Sequence, residues 1–105
     1  MGAEELEAVK RVFESGWLSG AGPACLALER DFAEIAGVPD VLATSNCGAA
    51  LHLSLLALGV RPGDEIIVGD YTFPATGHSV RWAGATPVFV DVRPDIWSID
   101  PALIE

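Results

Sequence analysis

Apolar positions in the first third of the chain recur at helical spacing. Over residues 3–15, Leu6, Val9, Val12 and Phe13 form one stripe, Glu residues fill the first turn, and Gly16 marks the stop. A second stripe of Leu26, Leu28, Phe32, Ala33 and Ile35 predicts a helix over 23–36, opened by Pro23 and closed by Gly37. Between them lies a glycine-rich loop, Trp17-Leu18-Ser19-Gly20-Ala21-Gly22. The period then changes. Val41 to Thr44 is a short apolar run of the kind found in buried strands, and Glu65–Val68 and Thr86–Val92 repeat it. Residues 47–58 read as a helix that is apolar nearly all round, closed by Gly59, which suits an interior position. Pro74 opens a weaker helix over 74–83 that Gly84 ends.

Strands at 41–44, 65–68 and 86–92 alternating with helices predict βαβ units and an α/β fold with a mainly parallel sheet, part of a three-layer αβα arrangement. Such a sheet needs cover on both faces. Asp100-Pro101 is a good cap and first-turn pair, yet only Ala102 to Glu105 follow it. A helix signalled and then cut after about one turn is far below the length at which a lone helix is stable. The expectation is a truncated chain that folds poorly alone.

Composition narrows the function. Fifteen acidic residues against six basic ones give a net charge of −9. A nucleic-acid partner needs a basic stripe, and none is present. The longest apolar stretch, Ala49 to Val60, is interrupted by His52 and Ser54 and is too short to span a bilayer. The acidic start Glu4-Glu5-Leu6-Glu7 is unlike a secretory signal, so the cytoplasm is the expected compartment. Cys25 and Cys47 form neither a CxxC pair nor part of a ligand-rich cluster, which indicates no metal site and no disulfide framework.

Two segments stand where chemistry would occur in such a fold, at the carboxyl ends of strands. Ser45-Asn46-Cys47-Gly48-Ala49-Ala50 begins a helix, whose free N–H groups and positive dipole end suit a phosphate. An ordinary capped helix, with Ser45 or Asn46 as the cap, satisfies the same residues and by pattern alone is the commoner meaning. A nucleophilic Cys47 would need a base, and His52 lies about a turn and a half further along the helix, poorly placed for that work. Asp70-Tyr71-Thr72-Phe73-Pro74 is the second segment; an aromatic ring there could stack on a flat heterocycle or simply join the core. Asp91 closes the third strand at the same edge, either capping the next turn or facing the cleft. Trp17, Trp82 and Trp97 are most simply packing residues, although Trp17 sits in a loop of the kind that often borders sites.

Three stretches in this order, FESGWLSGAGPACLALERDFAEIAG, TSNCGAALHLSLLALGVRPGDEIIV and DYTFPATGHSVRWAGATPVFVDVRPDIWSIDP, resemble the amino-terminal third of the DegT/DnrJ/StrS-type aminotransferases, which act on nucleotide-linked sugars. Each motif alone is weak, but the ordered set covers nearly the whole chain. The resemblance implies the large domain of the aspartate-aminotransferase-like fold, a homodimer, and pyridoxal 5′-phosphate (PLP) as cofactor. It also implies transfer of an amino group from a donor such as glutamate to a keto-sugar nucleotide.

Carried over by residue, the resemblance assigns the PLP phosphate to Cys47 and Gly48 with Ala49 adjacent, the face of the pyridine ring to Phe73, and substrate-proximal places to Trp17 and Leu18. Gly48 stands where the family usually has threonine or serine, so a hydroxyl donor is missing. Gly77 and His78 replace a commoner Ala-Asn pair. The family's Schiff-base lysine is expected downstream of Glu105, which leaves no catalytic residue within the chain. The only lysine, Lys10, stands among Glu residues and reads as a solvated surface charge. Two alternatives stay open: a PLP-dependent sugar dehydratase of the same family, and a non-catalytic α/β module that binds a phosphorylated ligand or a partner chain.

Overall fold

The helical stripes end where glycine lets the backbone turn left-handed. In the computed structural model, which describes residues 2–104, helix α1 (Ala3–Ser15) stops at Gly16 with φ 70°. Helix α2 (Pro23–Ala36) stops at Gly37 with φ 66°. The chain divides into two compact units, Met1–Ala43 and Thr44–Glu105.

The first unit carries α1 and α2. The Glu5 carboxylate accepts a hydrogen bond from the Gly2 N–H and so satisfies one of the free donors at the start of α1. Lys10 lies 4.0 Å from Glu7 and 3.8 Å from Glu14 in exposed ion pairs, as its helical neighbours require. Neither helix buries any residue. Their apolar stripes, including Leu6, Phe13, Phe32 and Ile35, remain exposed.

The segment 41–44, expected as a strand, is not one: it has no ladder partner among the described residues. A strand exists only through pairing, and here the Ala43 N–H is instead donated to Glu29 Oε1 at 2.8 Å. Apolar content marked a segment suited to burial, which is a weaker statement than pairing.

The second unit is an α/β body. Helix α3 (Cys47–Ala57) leads to strand β1 (Glu65–Gly69), helix α4 (Ala75–Trp82) and strand β2 (Thr86–Val90). The two strands pair in parallel, in register from Glu65 opposite Thr86 to Gly69 opposite Val90. Helices and strands begin and end within two residues of the expected positions. The expected strand 86–92 ends at Val90, beyond which Val92 leaves the parallel ladder and forms an antiparallel bridge with Ile99.

Alternation along the strands decides the core. Ile66 and Val68 face the helices and pack with Val80, Ala85, Leu55 and Val60. Val80 and Ala85 are 2% and 0% exposed, so this cluster carries most of the unit's burial energy, roughly 1.5–3 kcal/mol for each fully buried aliphatic side chain. The turn between α3 and β1 is built by Arg61 and Asp64. The Arg61 N–H donates to Asp64 Oδ2 at 2.7 Å, and the Asp64 N–H returns to the Arg61 carbonyl at 3.1 Å. Asp100 caps the segment after it as expected, accepting from the Ala102 N–H at 3.0 Å, but Pro101–Leu103 is a 3₁₀ turn and not the start of an α-helix.

Candidate functional site

Helix α3 starts because Asn46, extended at φ −168°, turns its side chain back onto the helix. Its Oδ1 accepts the Ala49 N–H at 2.9 Å. Asn46, and not Ser45, is therefore the cap. The capping oxygen takes only one donor. The Cys47 and Gly48 N–H groups meet no acceptor among the described residues. Cys47 is exposed and unpaired, whereas Gly48 is buried.

The surroundings of Gly48 fix where this turn lies. A Cβ placed on Gly48 would stand 3.6 Å from the Ala75 Cβ and 3.7 Å from Trp82 Cζ3. Ala75 is the first residue of α4. The starts of α3 and α4 are thus side by side, and α4 starts at the carboxyl end of β1, the edge at which open α/β sheets bind ligands. Phe73 stands two residues before Ala75. Phe73 is 78% exposed within this chain and lies outside the Val68–Val80–Ala85 cluster. The Phe73 loop is tied down on the α4 side, where Thr72 Oγ1 lies 2.9 Å from Thr76 Oγ1 and the Phe73 carbonyl accepts the Thr76 N–H at 3.0 Å.

Cys47, Gly48, Ala49 and Phe73 are therefore gathered at one end of one unit. Trp17 and Leu18 belong to the other unit, both exposed in the loop after α1. Trp17 is held locally: its Nε1–H donates to Ser19 Oγ at 3.0 Å, and a Cβ on Gly22 would come within 2.7 Å of its ring. The His52 and His78 rings each lie 6.0 Å from the Trp82 ring. Trp82 itself is 59% exposed. Asp91 turns inward on its own loop, its Oδ1 accepting the Val92 N–H at 2.7 Å.

The arrangement can bind an anion through neutral N–H donors at a helix start, with a flat aromatic face nearby. The sequence of the whole chain fits that picture. Residues 1–105 match the pattern of the DegT/DnrJ/EryC1/StrS aminotransferase family over their full extent. The chain belongs to this family.

Among curated members, the spore coat polysaccharide biosynthesis protein SpsC of Bacillus subtilis is 42% identical over 105 residues, which is all of this chain and 27% of SpsC. Among solved structures, a Streptococcus pneumoniae protein described as a sugar aminotransferase, known in PMP, PLP and apo forms, superposes with a TM-score of 0.92 at 35% identity. That match covers 99% of this chain and 26% of the other. DesV of S. venezuelae gives a TM-score of 0.88 at 37% identity, covering 97% of this chain and 27% of DesV. The chain thus spans about a quarter of the length of these relatives. It has their α/β fold with a parallel sheet. No helix among the described residues is long and apolar enough to cross a membrane.

Two features of the site escaped sequence reasoning. One is a groove of ≈ 410 Å³ between α4 and β2, lined by Asp70, His78 and Arg81 together with Pro87 and Phe89. The helical spacing of His78 and Arg81 signals that they share a face, but not which one. The other is a contact between Tyr71 and Trp97, rings 4.8 Å apart, with Trp97 in the left-handed region at φ 57°. A bulky residue rarely adopts that conformation, which costs it of order 1–3 kcal/mol. Nothing in the local sequence marks it.

Proposed function

We propose that this chain supplies the phosphate turn and the ring-covering aromatic of a PLP-dependent sugar aminotransferase. The observation that carries the reading is the juxtaposition of the α3 start with the α4 start. It brings the free Cys47 and Gly48 N–H groups to the same end of the sheet as the exposed Phe73.

The donor set fits the cofactor. Two unpaired N–H groups and a positive helix end suit a phosphate, and a phenyl face suits a pyridine ring. When bound, PLP supplies an electron sink for amino-group transfer. The residues here bind and orient it. Cys47 and Gly48 hold the phosphate, Ala49 keeps the approach open, and Phe73 covers one face of the ring. Asn46 fixes the turn's shape by holding Ala49. None of them transfers a proton, so the lysine and the pyridine-nitrogen partner of the reaction belong to other parts of the protein.

Glutamate as amino donor, a keto-sugar nucleotide as acceptor, pairing of two subunits and a cytoplasmic site of action follow the family's pattern and form part of the same proposal. Trp17 and Leu18 are assigned to the substrate side on that basis alone.

Cys47 offers a direct test, because it is an exposed thiol within the proposed phosphate turn. In the complete protein, saturating PLP should slow its alkylation by iodoacetamide at least several-fold relative to Cys25, read by mass spectrometry. Pyridoxal without the phosphate should protect less. Equal alkylation of Cys47 with and without PLP would remove the phosphate turn from this segment.

A further inference from the structure

The segment running into Phe73 is held on its other side by the hairpin formed by residues 92–99. The Arg93 carbonyl accepts both the Ile96 N–H at 3.3 Å and the Trp97 N–H at 2.8 Å. The chain therefore makes one tight turn and leaves it through a left-handed residue, a place that suits glycine or asparagine. The turn is braced by a two-pronged ion pair, with Arg93 Nε and Nη2 at 3.1 and 2.7 Å from the Asp95 carboxylate oxygens. It is closed by the Arg93 N–H donating to the Ser98 carbonyl at 2.9 Å. The residue at the strained position is nonetheless Trp97.

Where the ring goes gives the reason. Trp97 lies against Tyr71, centroids 4.8 Å apart and planes at 42°. Two residues along, Ile99 packs on the backbone of Gly69, so closely that a Cβ there would be 3.1 Å from Ile99 Cγ1. Residues 97 and 99 thus seat on residues 71 and 69, the last four residues of chain before Phe73 being gripped at alternate positions. The left-handed turn is what aims the indole back along the hairpin onto Tyr71.

We propose that Trp97 is a positioning residue: through Tyr71 it pins the loop that presents Phe73 at the cofactor site. The reading rests on the proposed PLP site, but the pinning itself is a property of the protein without cofactor. Tyr71 and Trp97 are 67% and 59% exposed, so they contribute little to the core. Their contact acts locally on the loop.

The test uses the complete protein in four forms: wild type, Trp97→Gly, Trp97→Tyr and Tyr71→Ala. Amide hydrogen exchange is measured across residues 70–76 with no cofactor present, and PLP binding is then followed by its visible absorption. Glycine is at home in the left-handed turn, so Trp97→Gly should fold with an unchanged or slightly higher thermal midpoint. Exchange in 70–76 should nonetheless quicken by about two- to tenfold, the worth of one aromatic pair, and PLP affinity should fall by a similar factor. Tyr71→Ala should quicken the same segment, and Trp97→Tyr should restore both readings to within about twofold of wild type.

Wild-type exchange in 70–76 in the glycine variant would overturn the proposal. So would exchange quickened throughout the protein in both Trp97→Gly and Tyr71→Ala, or a failure of Trp97→Tyr to restore it. Should wild-type protein show no saturable PLP spectrum, the cofactor reading fails while the exchange result still decides the pinning.

Discussion

The missing hydroxyl at residue 48 permits a gain-of-function test of the phosphate turn. Gly48→Ser adds a hydroxyl donor at the turn, and Gly48→Ala adds the same carbon without it. The structure sets the cost. The new Cβ would meet Ala75 Cβ at 3.6 Å and Trp82 Cζ3 at 3.7 Å, ordinary contacts that need no movement. It would also stand 3.2 Å from Asn46 Oδ1, so the capping amide must yield by a few tenths of an ångström while holding Ala49. Replacing glycine within a helix recovers roughly 0.5–1 kcal/mol of backbone entropy. A disturbed cap gives back up to about 1 kcal/mol. Net stability should therefore change by less than about 1 kcal/mol, equally in both variants. The hydroxyl is the only difference left between them. One net hydrogen bond of about 0.5–1.5 kcal/mol makes the serine variant bind PLP some two- to tenfold more tightly than the alanine variant. Titrating the complete protein with PLP and with pyridoxal, followed by visible absorption, reads that ratio. Equal PLP affinities in the two variants, or the same gain for pyridoxal, would show that the phosphate is not held at this turn.

Three further outcomes follow from the same structure. Phe73→Ala should leave the unfolding free energy within about 0.5 kcal/mol of wild type, because Phe73 is 78% exposed, yet weaken PLP binding by roughly two- to tenfold; a loss of stability without a loss of affinity would return Phe73 to the core. Val80→Ala removes two methyl groups from a site only 2% exposed and should cost about 2 kcal/mol in urea unfolding, with little effect if the core around Val68 and Ala85 is misplaced. The Gly2 N–H holds the Glu5 carboxyl below its ordinary value, so its contribution to α1 is complete above the unfolded value of about 4.3 and is lost as pH falls through the lower folded one. Amide exchange in the first turn of α1 should quicken across that window in wild type, and Glu5→Gln should abolish the pH dependence.

Much of the site was legible because its logic is local. Small residues and a helix cap are written into consecutive positions, and α3 starts there with Asn46 as its cap; the strand expected just before it is absent. The apolar run at 41–44 was legible only as something suited to burial. Pairing is a relation between segments, and among the described residues this one finds no partner.

By itself the sequence determined the helices, the apolar segments at 65–68 and 86–90, the glycine stops and the family, since each rests on period, capping and ordered motifs. Only the tertiary structure decided that α3 and α4 start side by side, that Phe73 faces outward, and that Trp97 turns left-handed onto Tyr71. Those are contacts between residues some 25 positions apart, set by how helices pack on a sheet and how a hairpin folds back, and no local propensity encodes them.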